Sequence, residues 1–281
     1  MIVNMIDMLN KAKEYNYAVA QFNINNLEWT KYILEETNRL NVPVILGVSE
    51  GAAKYMCGYK TIVNMVKNLI QYLNVSVPVA LHLDHGSSFE VCKEAIDAGF
   101  TSVMIDASKY ELEKNIKITK QVVNYAKKFN VSVEAEVGHV GSNNNGNIED
   151  IMYADVTECD IFCKETQIDF LAPALGSVHG PYVGKPKLNF ERMKEISSIC
   201  NIPLVLHGGS GINDELIKKS IQCGICKINI NTELQQAWAA GVRENIKKNE
   251  EIYDPRKIIK FGESNFKKVI EEKITLFQTK L

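Results

Sequence analysis

Pro78-Val79-Ala80-Leu81-His82-Leu83-Asp84-His85-Gly86-Ser87-Ser88 begins as an apolar run and ends in a carboxylate, an imidazole and a glycine turn. A near-continuous hydrophobic run is how a strand buried on both faces reads in a parallel sheet. A charged pair at the carboxyl end of such a strand is costly unless it is paired or faces a site. Taken alone, Asp84-His85 reads either as a satisfied ion pair or as part of a site. The rest of the chain favours the site.

Seven further runs of the same kind lie at Ala18–Phe22, Val42–Val48, Ser102–Ile105, Val131–Glu136, Ile168–Pro173, Pro203–Leu206 and Ile225–Ile230. Amphipathic segments separate or follow them at Glu28–Leu40, Thr61–Leu73, Phe89–Ala98, Glu111–Phe129, Val156–Thr166, Phe190–Cys200, Asp214–Cys223 and Glu233–Lys248. Alternation of this type means parallel strands joined by right-handed crossovers. Eight units without a linker or a break in composition predict an α/β chain of one domain, residues 1–281, folded as a closed (β/α)8 TIM barrel; an open doubly wound sheet is the alternative. Met5, Met8, Leu9 and Ala12 recur at helical spacing and predict an extra N-terminal helix. Asp254-Pro255 starts a C-terminal helical extension to about Phe277, and the polar tract Ser142–Asn147 reads as a mobile loop.

A composition of 46% hydrophobic and 23% charged residues can build a sizeable core unaided. The net charge of −2 and the lack of a Lys/Arg block argue against nucleic acid or a membrane surface as partner, and for a small-molecule ligand. No apolar run approaches a membrane span, so a cytoplasmic location is expected. The seven cysteines are odd in number and scattered, which fits reduced thiols. The lone pair Cys223-Gly-Ile-Cys226 reads as core.

A barrel builds its site at the carboxyl ends of its strands. Asn23, Ser49, Asp84-His85-Gly86, Asp106, Glu134 with Glu136, His179-Gly180, His207-Gly-Gly-Ser-Gly211 and Asn229–Thr232 follow or end the apolar runs. Of five histidines, His85, His179 and His207 each stand just before a glycine near a strand end, so they converge at the barrel mouth. Three imidazoles without a fourth protein ligand match a catalytic zinc site with an open position. His82 points by alternation away from His85 and reads as core or as support behind the ligands; His139 is unassigned. The loops at 207–211 and 229–232 each precede a helix, where glycine backbone and helix amino terminus can cradle a phosphate.

Leu81–Ser88, Gly99–Ser108, Ala172–Tyr182 (Ala-Pro-Ala-Leu-Gly-Ser-Val-His-Gly-Pro-Tyr), His207–Gly211 and Lys227–Glu233 together closely resemble the class II fructose-bisphosphate aldolases, nearly end to end. The resemblance implies Zn2+ on His85, His179 and His207, with Asp84 as the acid/base for the proton on the substrate's C4 oxygen. Asp106 and Glu136 match positions that hold the zinc in a second, displaced location; their alternative role is as interior ion partners. Gly180, Gly208, Gly209, Ser210, Asn229, Ile230, Asn231 and Thr232 match the dihydroxyacetone phosphate site, aided by a monovalent cation, Na+ or K+. Asn23 and Ser49 match positions that reach the substrate. Arg256 matches the arginine for the second phosphate, in some members from a neighbouring subunit, and a homodimer or homotetramer is expected.

Two positions depart from the family. A lysine that often follows His-Gly-Pro-Tyr is Val183 here, with Lys185 two residues on, and the acidic residues of the loop after Glu136 are replaced by Ser142-Asn143-Asn144-Asn145. The base for the C3 proton therefore does not carry over, and Glu149 or Asp150 is ranked ahead of His139 as a substitute. Three rival readings stand beside this one. Lys227 could serve a Schiff-base aldolase, or simply pair with Glu134; the chain could be a non-catalytic binding barrel, against which Asp84 argues; or its sugar could be tagatose 1,6-bisphosphate. Asn231, often alanine in tagatose enzymes, favours fructose.

Overall fold

The computed structural model of the chain describes residues 2–144, 147–149, 152–182 and 186–279, with backbone alone for residues 142–144 and 147–149. Among these residues the apolar runs form eight strands: β1 (Val19–Asn23), β2 (Val44–Ser49), β3 (Val79–Gly86), β4 (Ser102–Ile105), β5 (Ser132–Val137), β6 (Phe170–Pro173), β7 (Leu204–Leu206) and β8 (Ile225–Ile230). Every neighbouring pair is parallel, and β1 meets β8 from Val19↔Lys227 to Phe22↔Ile230, closing a (β/α)8 TIM barrel. Closure excludes the open doubly wound sheet. Strands β1, β5 and β8 are buried at every position, which is why their sequences do not simply alternate apolar with exposed polar residues.

Local chemistry sets the crossover helices. Asn26, Ser88, Asp155, Asn189 and Asn213 each cap a helix by accepting a backbone N–H of its first turn. Several helices end on a left-handed residue, Asn41, Gly99, Gln167 or Asn201, so the chain turns back toward the next strand within a few residues.

The predicted N-terminal helix is present at Ile6–Tyr15. It packs Met8, Leu9 and Ala12, with Met5 before it, against Val19, Ile45, Ala80, Met104, Phe170, Val205 and Cys226 inside the barrel. Burying Met5, Met8 and Leu9 there contributes roughly 1.5–3 kcal/mol each. This plug closes the end opposite the site. Cys226 belongs to it, and Cys223 is also buried, so the Cys-x-x-Cys pair is core as its sequence suggests.

Three local details go beyond or depart from the sequence reading. The C-terminal extension is two helices, Pro255–Lys260 and Gly262–Phe277, broken at Phe261. At Gly262 a Cβ would come within 2.4 Å of Trp238, so the break follows a close approach that tolerates no side chain. A short helix, Glu50–Tyr55, follows β2 with Ser49 as its cap. The polar tract read as a loop instead carries a hairpin, Gly141–Asn144 with Asn147–Glu149, whose first strand also pairs in parallel with Val178–His179. No helix among the described residues is long and apolar enough to cross a membrane.

Candidate active site

Inside the barrel mouth, Asp84 ends the inward row of β3. Asn23 of β1 donates from Nδ2 to Asp84 Oδ2 at 2.8 Å, and Asn229 of β8 donates to Oδ1 at 3.4 Å. Strict alternation would turn His85 out of the barrel. Its backbone is left-handed, φ 55°, and the β3–β4 register shifts between Leu83 and Gly86, which brings the ring to the mouth. His82 is fully buried in the interior, with Nδ1 2.9 Å from Ser102 Oγ.

His207 directly follows β7. Its Nε2 lies 2.8 Å from Glu134 Oε1, which leaves Nδ1 facing His85 Nε2 at 2.9 Å. His85 in turn has Nδ1 2.8 Å from Asp106 Oδ2. His179 sits on the two-residue strand Val178–His179 and offers its ring edge-on to both, with centroids 4.9 Å from His85 and 5.8 Å from His207. One ligand atom from each of the three lies within 4.8 Å of the others. Two imidazole nitrogens aimed at each other need a shared proton or a cation between them. Carboxylates on the far nitrogens of His85 and His207 orient the rings as in histidine metal sites, so the donor set fits a divalent metal.

A second set, His85, Asp106 and Glu136, meets the same spacing. Ser108 donates to Asp106 Oδ1 at 2.7 Å, and its Oγ is also 2.8 Å from His139 Nδ1. Glu136 accepts from Val140 N at 3.0 Å with Oε1, while its buried Oε2 has no hydrogen-bond partner among the described residues. An orphaned carboxylate oxygen beside two other ligand groups fits a second metal position.

The charges of the mouth are strongly coupled. Burial opposes ionisation of Asp84, but the imidazoles of His85 and His207 and the Lys227 ammonium outweigh it and hold the carboxyl well below the usual range. Burial likewise disfavours the His85 imidazolium, yet Asp106, Asp84 and Glu136 lift it to about 9. Burial, then His85 and His207, press His179 down to about 3, and burial with His85 also lowers His207. Glu136 is pushed up to about 8 by burial and the Asp106 charge. A metal held by these three rings would need each imidazole neutral at its ligand nitrogen.

Below the histidines, Lys227 Nζ is 2.8 Å from Glu134 Oε2, with both side chains fully buried. That ammonium is already paired and fully buried, which argues against the Schiff-base reading. Glu134 therefore hydrogen-bonds both His207 and Lys227, with His82 Nε2 3.6 Å away.

The expected phosphate loops face one another. Gly208 has φ 64°, and a Cβ there would fall 2.2 Å from the Val178 carbonyl oxygen, so only glycine lets this loop pass the His179 strand. Tyr182 ties the two by accepting from Val178 N at 3.1 Å and donating to Gly208 O at 2.9 Å, a role the sequence did not reveal. Gly180 follows His179 with φ 88°. Gly209 N donates to Asn229 O at 3.1 Å, and Ser210 Oγ accepts from Asn231 N at 3.2 Å. Thr232 opens the helix after β8. Ile230 is fully buried in the hydrophobic layer around the barrel, so only its backbone is available to a ligand.

Ser49 lies opposite Asp84 in the β2–β3 register, with Oγ capping Ala52 N at 3.2 Å. Arg256 is not brought to this mouth: its side chain is 88% exposed and forks onto Asp254 at 3.1 and 2.9 Å. Among the base candidates, His139 is engaged with Ser108, Glu149 is described by backbone alone, and Asp150 lies outside the described residues, as do Val183 and Lys185.

Residues 3–280 match the family described as Fructose-bisphosphate aldolase class-II. The chain is 57% identical over 277 residues to a fructose-bisphosphate aldolase of Geobacillus stearothermophilus, covering 98% of this chain and 96% of that one. It is 56% identical to one of Staphylococcus aureus, covering 99% and 98%. Among solved structures, the YdjI aldolase of Escherichia coli K12 superposes with a TM-score of 0.86 at 33% identity, over 99% of this chain and 98% of that one. A fructose-bisphosphate aldolase of Campylobacter jejuni, 24% identical, covers 99% and 95% with a TM-score of 0.85, a likeness of fold.

Proposed function

The chain belongs to the class II fructose-bisphosphate aldolase family, and from that premise we propose that its barrel mouth reversibly cleaves fructose 1,6-bisphosphate to dihydroxyacetone phosphate and glyceraldehyde 3-phosphate. The observation that carries this reading is Asp84, a buried carboxylate held by two amides beside three histidines whose ligand atoms lie within 4.8 Å of one another. Zn2+, when held by His85, His179 and His207, supplies Lewis acidity for the negative charge that develops at the ketone as the C3–C4 bond breaks.

The protein's own groups do the rest. Asp84 takes the proton of the C4 hydroxyl in cleavage and returns it in condensation. Asn23 and Asn229 fix its carboxylate, and with Ser49 they border the sugar chain. Gly180, Gly208, Gly209 and Ser210, with Asn229 to Thr232, offer donors to the phosphate next to the ketone. Buried Asn231 Oδ1, on the loop after β8, has no hydrogen-bond partner among the described residues, which supports Na+ or K+ nearby. Asp106 and Glu136, with His85, would hold the metal in a second location.

Arg256, on the exposed start of helix Pro255–Lys260, is assigned to the second phosphate of a neighbouring subunit in a homodimer or homotetramer, where its planar fork suits the task. Arg256→Ala is expected to raise KM for the bisphosphate far more than it weakens dihydroxyacetone phosphate. Equal losses for both ligands, measured as KM and as a competitive inhibition constant, would place Arg256 elsewhere.

The reading as a whole is tested by metal analysis of purified protein and coupled cleavage assays with the fructose and tagatose bisphosphates. One zinc or more per chain, preference for fructose and no borohydride-trapped adduct are expected. A tagatose preference would assign the sugar to its epimer, and a trapped adduct would overturn the metal-based mechanism.

A further inference from the structure

The C-terminal extension reaches the glycine loop through two charges. Lys273, on helix Gly262–Phe277, is only 9% exposed, and its Nζ lies 2.7 Å from Glu233 Oε2. Glu233 stands in the first turn of the helix that follows β8. Its Oε1 accepts the Gly211 N–H at 2.6 Å, and its own N–H donates to Ser210 Oγ at 3.4 Å. One carboxylate thus joins the two loops assigned to phosphate and occupies a backbone donor of one of them.

An acid is favourable at a helix amino terminus. At the rim of a site for a phosphate dianion, however, it opposes the ligand, and a partly buried location strengthens the opposition. Lys273 lies where it cancels that charge, on a helix outside the eightfold repeat. We infer that Lys273 is a positioning residue for the phosphate: through Glu233 it holds Gly211 and Ser210 in place and removes the negative charge that would otherwise repel the ligand. The inference rests on the assignment of these loops to phosphate. A helix-to-helix staple alone would affect stability and leave anion binding unchanged.

The test uses the full-length, metal-loaded protein and three readouts: the inhibition constant of inorganic phosphate, the KM and kcat for the bisphosphate, and the melting temperature. Lys273→Met is expected to weaken phosphate and raise KM by roughly 10- to 100-fold, with kcat within about threefold of the parent. Lys273→Arg keeps phosphate affinity near the parent value. Glu233→Gln, which keeps an acceptor for Gly211 and removes the charge, binds phosphate at least as tightly as the parent. Adding it to Lys273→Met recovers most of the loss.

An unchanged phosphate constant in folded Lys273→Met would overturn the inference, as would a double variant no better than Lys273→Met. If Lys273→Met does not fold, phosphate binding more than about tenfold weaker in Glu233→Gln would overturn it. Ser210→Ala separates the two levels. If it leaves phosphate binding unchanged, the loop assignment fails and this inference with it; if it weakens phosphate while Lys273→Met does not, only the role of Lys273 fails.

Discussion

Asp84→Ala is expected to lower bisphosphate cleavage by about 10²–10⁴-fold or more, with the fold and the metal site retained. The carboxylate is aimed by Asn23 at 2.8 Å and Asn229 at 3.4 Å, and among the described residues no other carboxylate shares that pair of amides. It is held ionised by its cationic surroundings despite burial, so its oxygens are available as acceptors. Neither amide can take over that task. His179→Ala should give the opposite pattern, with metal lost and the Asp84 arrangement kept. Steady-state cleavage rates paired with metal content distinguish the two. An Asp84 variant that kept a tenth of parent turnover would remove the residue from the proton transfer.

Lys227→Met is expected to destabilise the protein by about 3–5 kcal/mol, because it strips a fully buried carboxylate of its partner. Glu134 would keep His207 at 2.8 Å and His82 at 3.6 Å, neither of which carries a fixed charge. Burial raises the Glu134 pKa, and the Lys227 charge is the largest influence holding it below the ordinary value. Glu134→Gln combined with Lys227→Met should lose less than Lys227→Met alone. Urea denaturation of the metal-loaded proteins measures this, and a Lys227→Met loss under about 1 kcal/mol would show that other groups neutralise Glu134.

All eight strands were legible because each is a short apolar run set apart by a long amphipathic helix. Phe89–Ala98, Val156–Thr166 and Phe190–Cys200 begin and end where their sequences predict. The hairpin was not, although Asn145-Gly146 between short polar stretches is itself a hairpin signal. Polarity suggested a loop, and the partner that fixes it, Val178–His179, lies more than thirty residues away. The three histidines were visible from the glycine after each. Glu134 was visible as a strand-end carboxylate and a partner for Lys227; its contact to His207, two strands away, has no local signature. Arg256 shows the converse limit, since a motif can name a residue that its own subunit leaves exposed.

The hairpin has a consequence for how the ion is retained. Val178–His179 is too short to be a strand by itself, and among the described residues its ladder partner is Gly141–Asn144. With His179 as one of three proposed anchors, grip on the ion and integrity of the ribbon would be coupled: whatever frays the ribbon would loosen that anchor, and a seated ion would stiffen the ribbon in return. Substitutions at 141–149 can thus adjust the ion's residence time while every ligand stays the same, a route for drift between relatives that leaves the chemistry intact.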